Sequence, residues 1–456
     1  MARSEELRHK YPSFRYERFE IETTASRVSA RFHFFIPPDI KFLPEVHFEA
    51  VDGGWNSVPE PFLKNVVFHL GLIEAFSYWK ATASPTIEVL PGAMSPEQVR
   101  WWEDLLIHGM GEFFYNNDID FCGRDFVKIK PASDAFPGAY PEALPERHLL
   151  TIGGGRDSAL AAAILRDSGL PFTCLMLNPS SAARKIAALA TTAQPVIIRR
   201  SICPELLDLN RRGFLNGHTP FSAYLAFLGA VCLLLFGYSG VIVSNERSSD
   251  EGNVNYRGRE INHQYSKSLR FEQLFDDYLR TYLVGSGRYF SYVRPLYELQ
   301  IGKAFAHFPE LFESFKSCNR NRSDSWCGQC PKCLSVFLTL YPFVSRSDLM
   351  KIFGQDLLHR EGNVAILRQL AGFETKPFEC VATSAEIVAA LALAMEKAKT
   401  NSESLPPLLE WASQNVAGIG NTSEARAILS AYGPHRIPQE FENFLTKALN
   451  RSPRSL

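Results

Sequence analysis

The strongest constraint on the fold is an alternation of short apolar strands with helix-forming stretches that begins near residue 148. Such repetition is typical of a parallel sheet with helices on both faces. The predicted elements are, in order, a strand at 148–152, a helix at Ser158–Ser168, a strand at Phe172–Leu177, a helix at Ala182–Thr191 and a strand at Val196–Ile198. We therefore expect an α/β protein with a doubly wound central domain over residues 146–340.

A continuous apolar run from Phe221 to Val243 needs a separate interpretation, since its length is sufficient to cross a membrane. Glycines at 237 and 240 interrupt it where an α/β unit would turn. The pattern favours a buried helix over Phe221–Phe236, followed by a buried strand over Val241–Val243. The first twenty residues contain no apolar signal region, so we expect a cytoplasmic protein that is not associated with a membrane.

Two segments of different character flank this central domain. Residues 1–145 predict an α+β domain, with alternating antiparallel strands followed by amphipathic helices. A proline-rich stretch, Pro131–Pro145, has the composition of a linker. Residues 341–456 predict a helical region. The helices predicted in the two segments are Leu63–Lys80, Pro96–Phe114, Ser384–Lys399, Pro406–Ser413 and Ser423–Tyr432.

The charge balance restricts the class of partner. The chain of 456 residues has 48 Lys and Arg against 49 Asp and Glu, so its net charge is −1. A general nucleic-acid binder normally has a strong positive excess, which argues against that class. We expect a small-molecule substrate and no nucleic acid. The sequence leaves the oligomeric state open.

A glycine-rich loop separates the first predicted strand from its helix. Gly153, Gly154 and Gly155 allow close approach of a ligand to the backbone, and the helix N-terminus behind them favours an anion such as phosphate. Arg156, Asp157 and Ser158 complete the loop. A magnesium ion between Asp157 and the phosphates would explain an acid at this position. The alternative is a plain turn in which Asp157 and Ser158 only cap the helix.

Four of the nine cysteines are clustered as Cys318-x8-Cys327-x2-Cys330-x2-Cys333. Four thiolates at this spacing suit one tetrahedral Zn²⁺, which would be structural because no coordination position stays open. A [4Fe–4S] cluster also takes four cysteines and is the alternative.

A polar loop follows the predicted strand at Val241–Val243, and it runs through Ser244–Asn253 to Asn262–Ser268. Ligands bind at the carboxyl ends of strands in open α/β sheets, so this loop is a candidate site. The alternative is a solvated loop. A second acidic turn with Asp118, Asp120 and Cys122 is a weaker candidate, because its acids could equally be caps. Arg257 with Arg259 could clamp an anionic substrate, and the alternative is that each is a surface charge.

The GGGRDS loop resembles the S-G-G-x-D-S loop of the ATP pyrophosphatase superfamily, the PP-loop enzymes with an adenine nucleotide alpha hydrolase-like fold. Gly153 stands where that superfamily usually has serine. The resemblance implies that ATP is cleaved to AMP and pyrophosphate with Mg²⁺ near Asp157. It also implies that Leu175, Met176 and Leu177 line the adenine pocket. The cysteine spacing is similar to that of 7-cyano-7-deazaguanine synthase, another PP-loop enzyme.

The whole chain, and the run Asn262-His263-Gln264-Tyr265-Ser266-Lys267-Ser268 in particular, resembles the UDP-N-acetylmuramoyl-L-alanyl-L-glutamate epimerase family of peptidoglycan synthesis. This resemblance implies inversion of a terminal L-glutamate through an acyl-adenylate, with ATP, Mg²⁺ and a structural Zn²⁺. Five residues are then candidates for proton transfer, adenylate stabilisation or magnesium binding: Glu246, Asp250, Glu251, His263 and Lys267.

Two alternatives stay open at the level of sequence. One is a different PP-loop enzyme, such as a deazaguanine or tRNA-modifying synthase. The other is a non-catalytic PP-loop scaffold that binds only nucleotide or a partner, which the glycine at position 153 allows. The intact Asp157-Ser158 pair argues against the scaffold.

Overall fold

The structure is a computed structural model, and it describes residues 3–123, 125–133, 138–320, 325–402 and 404–450. It is a mixed α/β protein with one large sheet and many helices. The strands of the described residues are β1 (Ser13–Thr23), β2 (Arg27–Ile36), β3 (Ile40–Phe42), β4 (Glu45–Glu49), β5 (Thr86–Ala93), β6 (Lys128–Ser133), β7 (His148–Thr151), β8 (Phe172–Leu177), β9 (Val196–Ser201), β10 (Gly240–Val243), β11 (Val254–Tyr256), β12 (Arg259–Ile261) and β13 (Arg288–Ser291).

The α-helices of the same residues are α1 (Arg3–Lys10), α2 (Glu60–Trp79), α3 (Pro96–Gly109), α4 (Gly111–Asn116), α5 (Arg156–Ser168), α6 (Ser181–Ala190), α7 (Pro204–Arg211), α8 (Phe221–Phe236), α9 (Leu269–Tyr278), α10 (Glu298–Phe305), α11 (Pro331–Leu340), α12 (Arg346–Phe353), α13 (Asn363–Leu370), α14 (Ser384–Thr400), α15 (Pro407–Asn415), α16 (Thr422–Ser430) and α17 (Gln439–Leu449). Short 3-10 turns lie at Arg247–Asp250, Tyr265–Lys267, Pro309–Leu311 and Leu357–His359, and a π turn lies at Leu279–Leu283.

The large sheet joins strands from the first two predicted segments. Its order is β13-β10-β7-β8-β9-β4-β2-β1-β5-β6, with β3 paired to β2. Strands β13 to β9 are parallel to one another, and the pairs β9–β4, β4–β2 and β2–β1 are antiparallel. The pairs β1–β5 and β5–β6 are parallel again. The connection is the antiparallel pair β4–β9, in which Phe48 lies opposite Ile198. The domain boundaries at residues 145 and 340 remain predictions from the sequence.

Helices cover both faces of the parallel strands. Neighbouring residues of β7 point to opposite sides, so Leu149 packs into one apolar core with α8 and Leu150 into another with α5. Both leucines are fully buried. This arrangement explains why the strands are apolar on both faces, as a parallel sheet between two helical layers requires.

The apolar run is confirmed as a buried helix and strand, since α8 ends at Phe236 and β10 occupies Gly240–Val243. Gly237 adopts a left-handed conformation with φ of 68° that ends α8. No helix in the described ranges is long and apolar enough to cross a membrane. The proline-rich stretch begins inside β6, and its residues 134–137 lie outside the described residues. From residue 341 onward, the described residues form helices and no strands.

Candidate functional site

The glycine loop leads from the carboxyl end of β7 into α5 and has the geometry of a close-approach turn. Gly154 has φ of +96°, and a Cβ there would lie 2.9 Å from the backbone nitrogen of Ala183. Glycine is therefore required at this position. The carbonyl oxygen of Gly154 also accepts a hydrogen bond of 2.8 Å from the backbone N–H of Lys316. The loop thus packs against the segment that enters the cysteine cluster.

Arg156 and Asp157 begin α5, and their side chains form an ion pair. Arg156 is buried, and its guanidinium donates to Thr339 Oγ1 at 2.9 Å and to Glu298 Oε2 at 3.1 Å. Its Nε also lies 2.9 Å from Asp157 Oδ1. Arg156 is therefore an internal ion-pair partner. Ser158 Oγ donates to the carbonyl of Gly155 at 3.1 Å within the first turn of α5, and no side-chain hydrogen bond caps the start of this helix at Gly155.

Asp157 keeps a 20% exposed side chain at the start of the helix. Burial alone would raise its pKa, but the positive charges of Arg156 and Lys332 overcome this effect and hold the pKa below its ordinary value. The carboxylate therefore stays ionised at neutral pH. An ionised, partly exposed carboxylate beside a glycine loop is a suitable oxygen ligand for Mg²⁺.

The three residues expected near adenine end β8. Leu175 and Met176 are buried in the apolar cores on opposite faces of the sheet, whereas Leu177 is only partly buried. The backbone carbonyl of Leu175 accepts a 2.9 Å hydrogen bond from Ile152. Leu177 is therefore the member of the three whose side chain is accessible at the strand end.

The four knuckle cysteines, Cys318, Cys327, Cys330 and Cys333, converge, and their sulfur atoms all lie within 4.8 Å of one another. The Cys327–Cys333 separation is 3.7 Å and the Cys330–Cys333 separation is 3.4 Å. Zinc–sulfur bonds of about 2.3 Å in a tetrahedron require sulfur separations of about 3.8 Å. The cluster therefore fits a metal ion such as zinc.

The cysteine knuckle also positions a lysine. Lys332 lies between Cys330 and Cys333 in the first turn of α11, and its Nζ donates to the buried Glu298 Oε1 at 3.1 Å. Burial would lower the pKa of Lys332, but Glu298 and then Asp157 raise it above its ordinary value. A fixed positive charge thus lies beside Asp157.

Glu246 is the most unusual residue of the polar loop. It is 1% exposed, and neither of its carboxylate oxygens has a hydrogen-bond partner among the described residues. Burial raises its pKa, and Lys267 opposes that shift. Two other side-chain oxygens of the polar loop, Ser244 Oγ and Gln264 Oε1, are also buried without a described hydrogen-bond partner. Buried polar atoms are normally hydrogen-bonded, so the unpartnered carboxylate of Glu246 marks a place that a ligand would complete.

Arg294 fixes the two parts of the polar loop relative to each other. Its guanidinium donates to the carbonyl oxygen of Glu246 at 2.7 Å and to that of Lys267. It also pairs with Glu272 at 3.0 Å in a fully buried contact. The backbone at Glu246 and at Lys267 is thereby held in one place, although the two residues are far apart in sequence.

Asp250 and Glu251 make contacts that are separate from those of Glu246 and Lys267. Asp250 is exposed and accepts a 2.8 Å hydrogen bond from the backbone N–H of Leu269, at the start of α9. Glu251 pairs with Lys376. Both acids therefore have structural partners at the outer side of the loop.

His263 is bonded to a glutamate from α4. Its Nδ1 lies 2.5 Å from Glu112 Oε2, and His218 Nδ1 lies 3.5 Å from the same oxygen. These three side chains are close enough to be considered as a metal site. However, two ligands of one metal at about 2.1 Å and tetrahedral angles lie about 3.4 Å apart. The 2.5 Å contact is therefore a hydrogen-bonded ion pair.

Cys380 completes the cluster from the C-terminal segment. Lys267 Nζ donates to its sulfur at 3.1 Å. Burial would raise the pKa of Cys380, but Lys267 and a hydrogen bond from His263 lower it to about 7. Burial would lower the pKa of His263, yet its contacts with Cys380 and Glu112 raise it to about 9. Lys267 likewise has a raised pKa, because Cys380 and Glu246 outweigh its burial.

The structure thus brings together Asp157, Glu246, His263 and Lys267, which the sequence singled out, with four residues that it did not. Those four are Glu112, His218, Lys332 and Cys380. Lys332 alone had a sequence signal, since it lies inside the cysteine knuckle. The others are single polar residues in unrelated segments, and only the tertiary fold makes them neighbours.

A cavity of about 600 Å³ lies beside the polar loop, and His108, Asp250, Arg259, Asn262 and Arg270 are among its lining residues. The acidic turn of the first segment closes over the β11–β12 hairpin, where Asp118 Oδ1 accepts from Tyr256 at 2.7 Å and from Arg257 at 3.2 Å. Arg257 is therefore held by the turn, whereas Arg259 faces the cavity.

Comparison with known proteins identifies close relatives. Residues 5–292 match the sequence model of the MurL N-terminal domain, and residues 314–426 match that of the MurL C-terminal domain. The chain is 32% identical over 443 residues to the UDP-N-acetyl-alpha-D-muramoyl-L-alanyl-L-glutamate epimerase of Xanthomonas oryzae pv. oryzae, covering 94% of this chain and 96% of that protein. It is 33% identical over 389 residues to the epimerase of the same name from Salinispora tropica, covering 84% of each chain.

Proposed function

This chain belongs to the MurL family, and from that membership we propose that it is an ATP-dependent isomerase that inverts the terminal glutamate of UDP-N-acetylmuramoyl-L-alanyl-L-glutamate. The product would be the corresponding D-glutamate nucleotide, a precursor of peptidoglycan. The proposed route passes through an acyl-adenylate on the PP-loop fold and releases AMP and pyrophosphate.

The need for activation follows from the charge of the substrate. Removal of the α-proton beside a free carboxylate would create a second negative charge next to the first. Adenylation cancels the carboxylate charge and produces an acyl group that can accept the electron pair as an enolate. Water then hydrolyses the adenylate after the proton has returned to the opposite face. Activation of the carboxylate by ATP therefore replaces the stabilisation of the carbanion that an electron-sink cofactor provides in other enzymes.

The glycine loop is our candidate for the phosphates of ATP. Gly154 and Gly155 bring backbone close to the carboxyl edge of the sheet, and the N-terminus of α5 adds partial positive charge. Asp157 is our candidate for Mg²⁺, since it is ionised and partly exposed. Leu177, at the carboxyl end of β8, has a partly accessible side chain and is our candidate for contact with adenine.

The observation that carries the proposal is the buried, unpartnered carboxylate of Glu246 beside Lys267. A carboxylate left without partners in an enzyme interior costs stability, unless a ligand or a reaction uses it. Lys267 is a fixed positive charge at the same place, and charge aimed at a developing enolate oxygen contributes about 3 to 4 kcal/mol in comparable oxyanion sites. Glu246 is then a candidate proton acceptor or donor, as its raised pKa suits that role.

The cavity next to the polar loop suits the remainder of the substrate. A volume of about 600 Å³ is typical of small-molecule sites, and Arg259 with Arg270 supplies positive charge for a diphosphate. The cysteine cluster is proposed to hold a structural zinc ion, with no direct part in the chemistry.

The experiment that tests this function uses the full chain with ATP, Mg²⁺ and the L-Ala-L-Glu nucleotide in D₂O. The expected products are AMP, pyrophosphate and a D-glutamate nucleotide that carries deuterium at the glutamate α-carbon. Release of ADP and phosphate instead would rule out the adenylate route. Consumption of ATP without epimerisation would favour another PP-loop synthase, and no turnover at all would favour a binding scaffold.

A further inference from the structure

Cys380 occupies a position that the proposed reaction has not yet used. It comes from the segment between α13 and α14, yet it lies against the polar loop that follows β10. Its sulfur accepts a hydrogen bond from Lys267, and His263 is its second polar neighbour. A thiol held by two cationic groups is an activated sulfur, whereas a structural buried cysteine is normally surrounded by apolar groups.

The two cationic neighbours are themselves fixed by other residues. Glu112 holds the ring of His263 through Nδ1, and the backbone N–H of His263 donates to Asn253 Oδ1 at 2.8 Å. The Arg294 contact holds the backbone of Lys267. The side chains of Glu112, His263 and Cys380 therefore form a series of acid, imidazole and thiol. Each group in this series orients the next.

The segment that contains Cys380 is anchored on both sides. Asn253 Nδ2 donates to the carbonyl oxygen of Pro377 at 2.8 Å, so the polar loop holds the residues before Cys380. Glu379 Oε2 accepts hydrogen bonds of 3.1 Å from the backbone N–H of Lys332 and of 3.3 Å from Asn319 Nδ2. The thiol thus has a defined position relative to Lys267 and to the cysteine knuckle.

We propose that the Cys380 side chain is a catalytic residue that exchanges a proton with the glutamate α-carbon on one face of the activated substrate. This inference rests on the proposed function for the identity of the carbon. Lys267 and His263 are then positioning residues that hold the sulfur as a thiolate, and Glu246 is the candidate for the opposite face.

The step balances without any oxidant or reductant. The thiolate sulfur forms an S–H bond as the Cα–H bond breaks, and the released electron pair moves into the bond between Cα and the acyl carbon, with negative charge on the acyl oxygen. Return of a proton to the opposite face of Cα reverses that shift. In the other direction of reaction the Cys380 thiol delivers the proton. No bond forms between sulfur and carbon.

The charges around the site favour sulfur over its neighbours for this step. Lys267 and His263 both have raised pKa values and are protonated at neutral pH, so neither can accept a proton there. The pKa of Cys380 is lowered to about 7, which leaves a substantial thiolate fraction. A base is most effective when its pKa is near the working pH.

The test compares Cys380→Ala and Cys380→Ser in the full chain with Cys203→Ser as the control. Cys203 is a free thiol at the start of α7, outside this cluster, and its variant should behave as the unmodified chain does. Two activities are measured: substrate-dependent exchange of pyrophosphate into ATP, and deuterium uptake at the glutamate α-carbon in D₂O. Both Cys380 variants should keep the first activity within about threefold and lose the second by at least about a hundredfold.

The Cys380→Ser variant distinguishes a catalytic role of Cys380 from a structural one. Its hydroxyl keeps the hydrogen bonds to Lys267 and His263 but is far less acidic, so a structural role would be rescued by Cys380→Ser and a proton-transfer role would not. Rescue of deuterium uptake by serine overturns the proposal. So does loss of pyrophosphate exchange in folded variants, or a glutamyl thioester trapped on Cys380 by hydroxylamine.

A second measurement avoids the variants in case they fail to fold. Iodoacetamide should alkylate Cys380 of the unmodified chain, located by peptide mass, and the nucleotide substrate with ATP should slow this alkylation at least about tenfold. Unchanged alkylation in the presence of substrate overturns the proposal. The unmodified chain could incorporate deuterium into the product in a way that requires Cys380 and yet show no pyrophosphate exchange. In that case the ATP route fails and the assignment of Cys380 stands.

Discussion

Lys332 Nζ lies 3.1 Å from Glu298 Oε1, and both groups are buried. Lys332 stands between two cysteines of the knuckle, while Glu298 begins α10 and also pairs with Arg156 of the glycine loop. The cysteine cluster and the glycine loop are thus connected through one buried carboxylate. Any change in the fold of the knuckle reaches the loop through this contact.

The first prediction concerns the metal. We expect one zinc ion per chain in the purified protein, and Cys333→Ser should remove it, lower the melting temperature and reduce activity through the displaced Lys332. Elemental analysis and thermal unfolding measure both effects. Cys174→Ser is the control, because Cys174 is buried outside the cluster and its loss should leave the zinc content at one. Iron with sulfide in place of zinc would contradict the prediction.

The second prediction concerns the glycine loop. Asp157→Asn keeps the size and one acceptor oxygen but removes the charge, so AMP production should fall by at least about a hundredfold. The fold should persist, since Arg156 still pairs with Glu298. Circular dichroism checks the fold and chromatography of AMP checks the rate. Asp167→Asn, at the exposed end of the same helix, should leave the rate within about twofold.

The third prediction separates the three acids of the polar loop. Glu246→Gln should reduce deuterium uptake at the α-carbon by about a hundredfold or more, because Glu246 alone of the three is buried without a described partner. Asp250→Asn and Glu251→Gln should change it by less than about tenfold, since each acid serves a structural contact. Mass spectrometry of the product in D₂O gives the comparison. Equal losses of deuterium uptake in all three variants would show that Glu246 has no role in proton transfer that Asp250 and Glu251 lack.

The fourth prediction is a pH dependence. The groups around Cys380 are Lys267, His263 and, at longer range, Lys332, and together they lower its pKa to about 7. Because the thiolate is the reactive form, kcat/KM for deuterium uptake should rise as the pH increases through about 7 and then level off. His263→Gln removes one positive neighbour and should shift the midpoint to higher pH. A rate that falls as the pH rises through 7 would mean that the neutral thiol is the reactive form.

The fifth prediction concerns the cavity. Arg259→Gln and Arg270→Gln should each raise KM for the nucleotide substrate about tenfold, since a hydrogen bond to a charged group contributes about 1.5 to 3 kcal/mol. KM for ATP should change little. Arg426→Gln, on the surface of α16, is the matched control. An effect on ATP alone would instead assign the cavity to the other substrate.

Local sequence patterns predicted much of the fold. The predicted strand Phe172–Leu177 and helix Phe221–Phe236 have the observed bounds, because an apolar run bounded by glycine or proline leaves little choice of element. The helix predicted over Pro96–Phe114 is interrupted instead, since Met110 ends α3 before α4 begins. The pairing of β4 with β9 was not predicted, because no local pattern encodes a partner 150 residues away.

The candidate site was predictable in part for the same reason. Asp157 and Lys332 lie within contiguous motifs, so a sequence pattern can mark their neighbourhood. Glu112 and Cys380 come from segments with no such motif, and their role appears only when α4 and the C-terminal segment meet the polar loop. Long-range packing, which short-range periodicity does not specify, brings the acid, the imidazole and the thiol into line.

The β4–β9 pair has a consequence for dissecting the protein. If residues 1–145 were expressed apart from the rest, β9 would lose its partner and present a row of unsatisfied N–H and C=O groups, with Ile198 uncovered beside them. Open sheet edges of this kind recruit other chains and aggregate. The two fragments should therefore be insoluble when produced singly and regain solubility by complementation when co-expressed, so the β4–β9 pair acts as an internal interface of the fold.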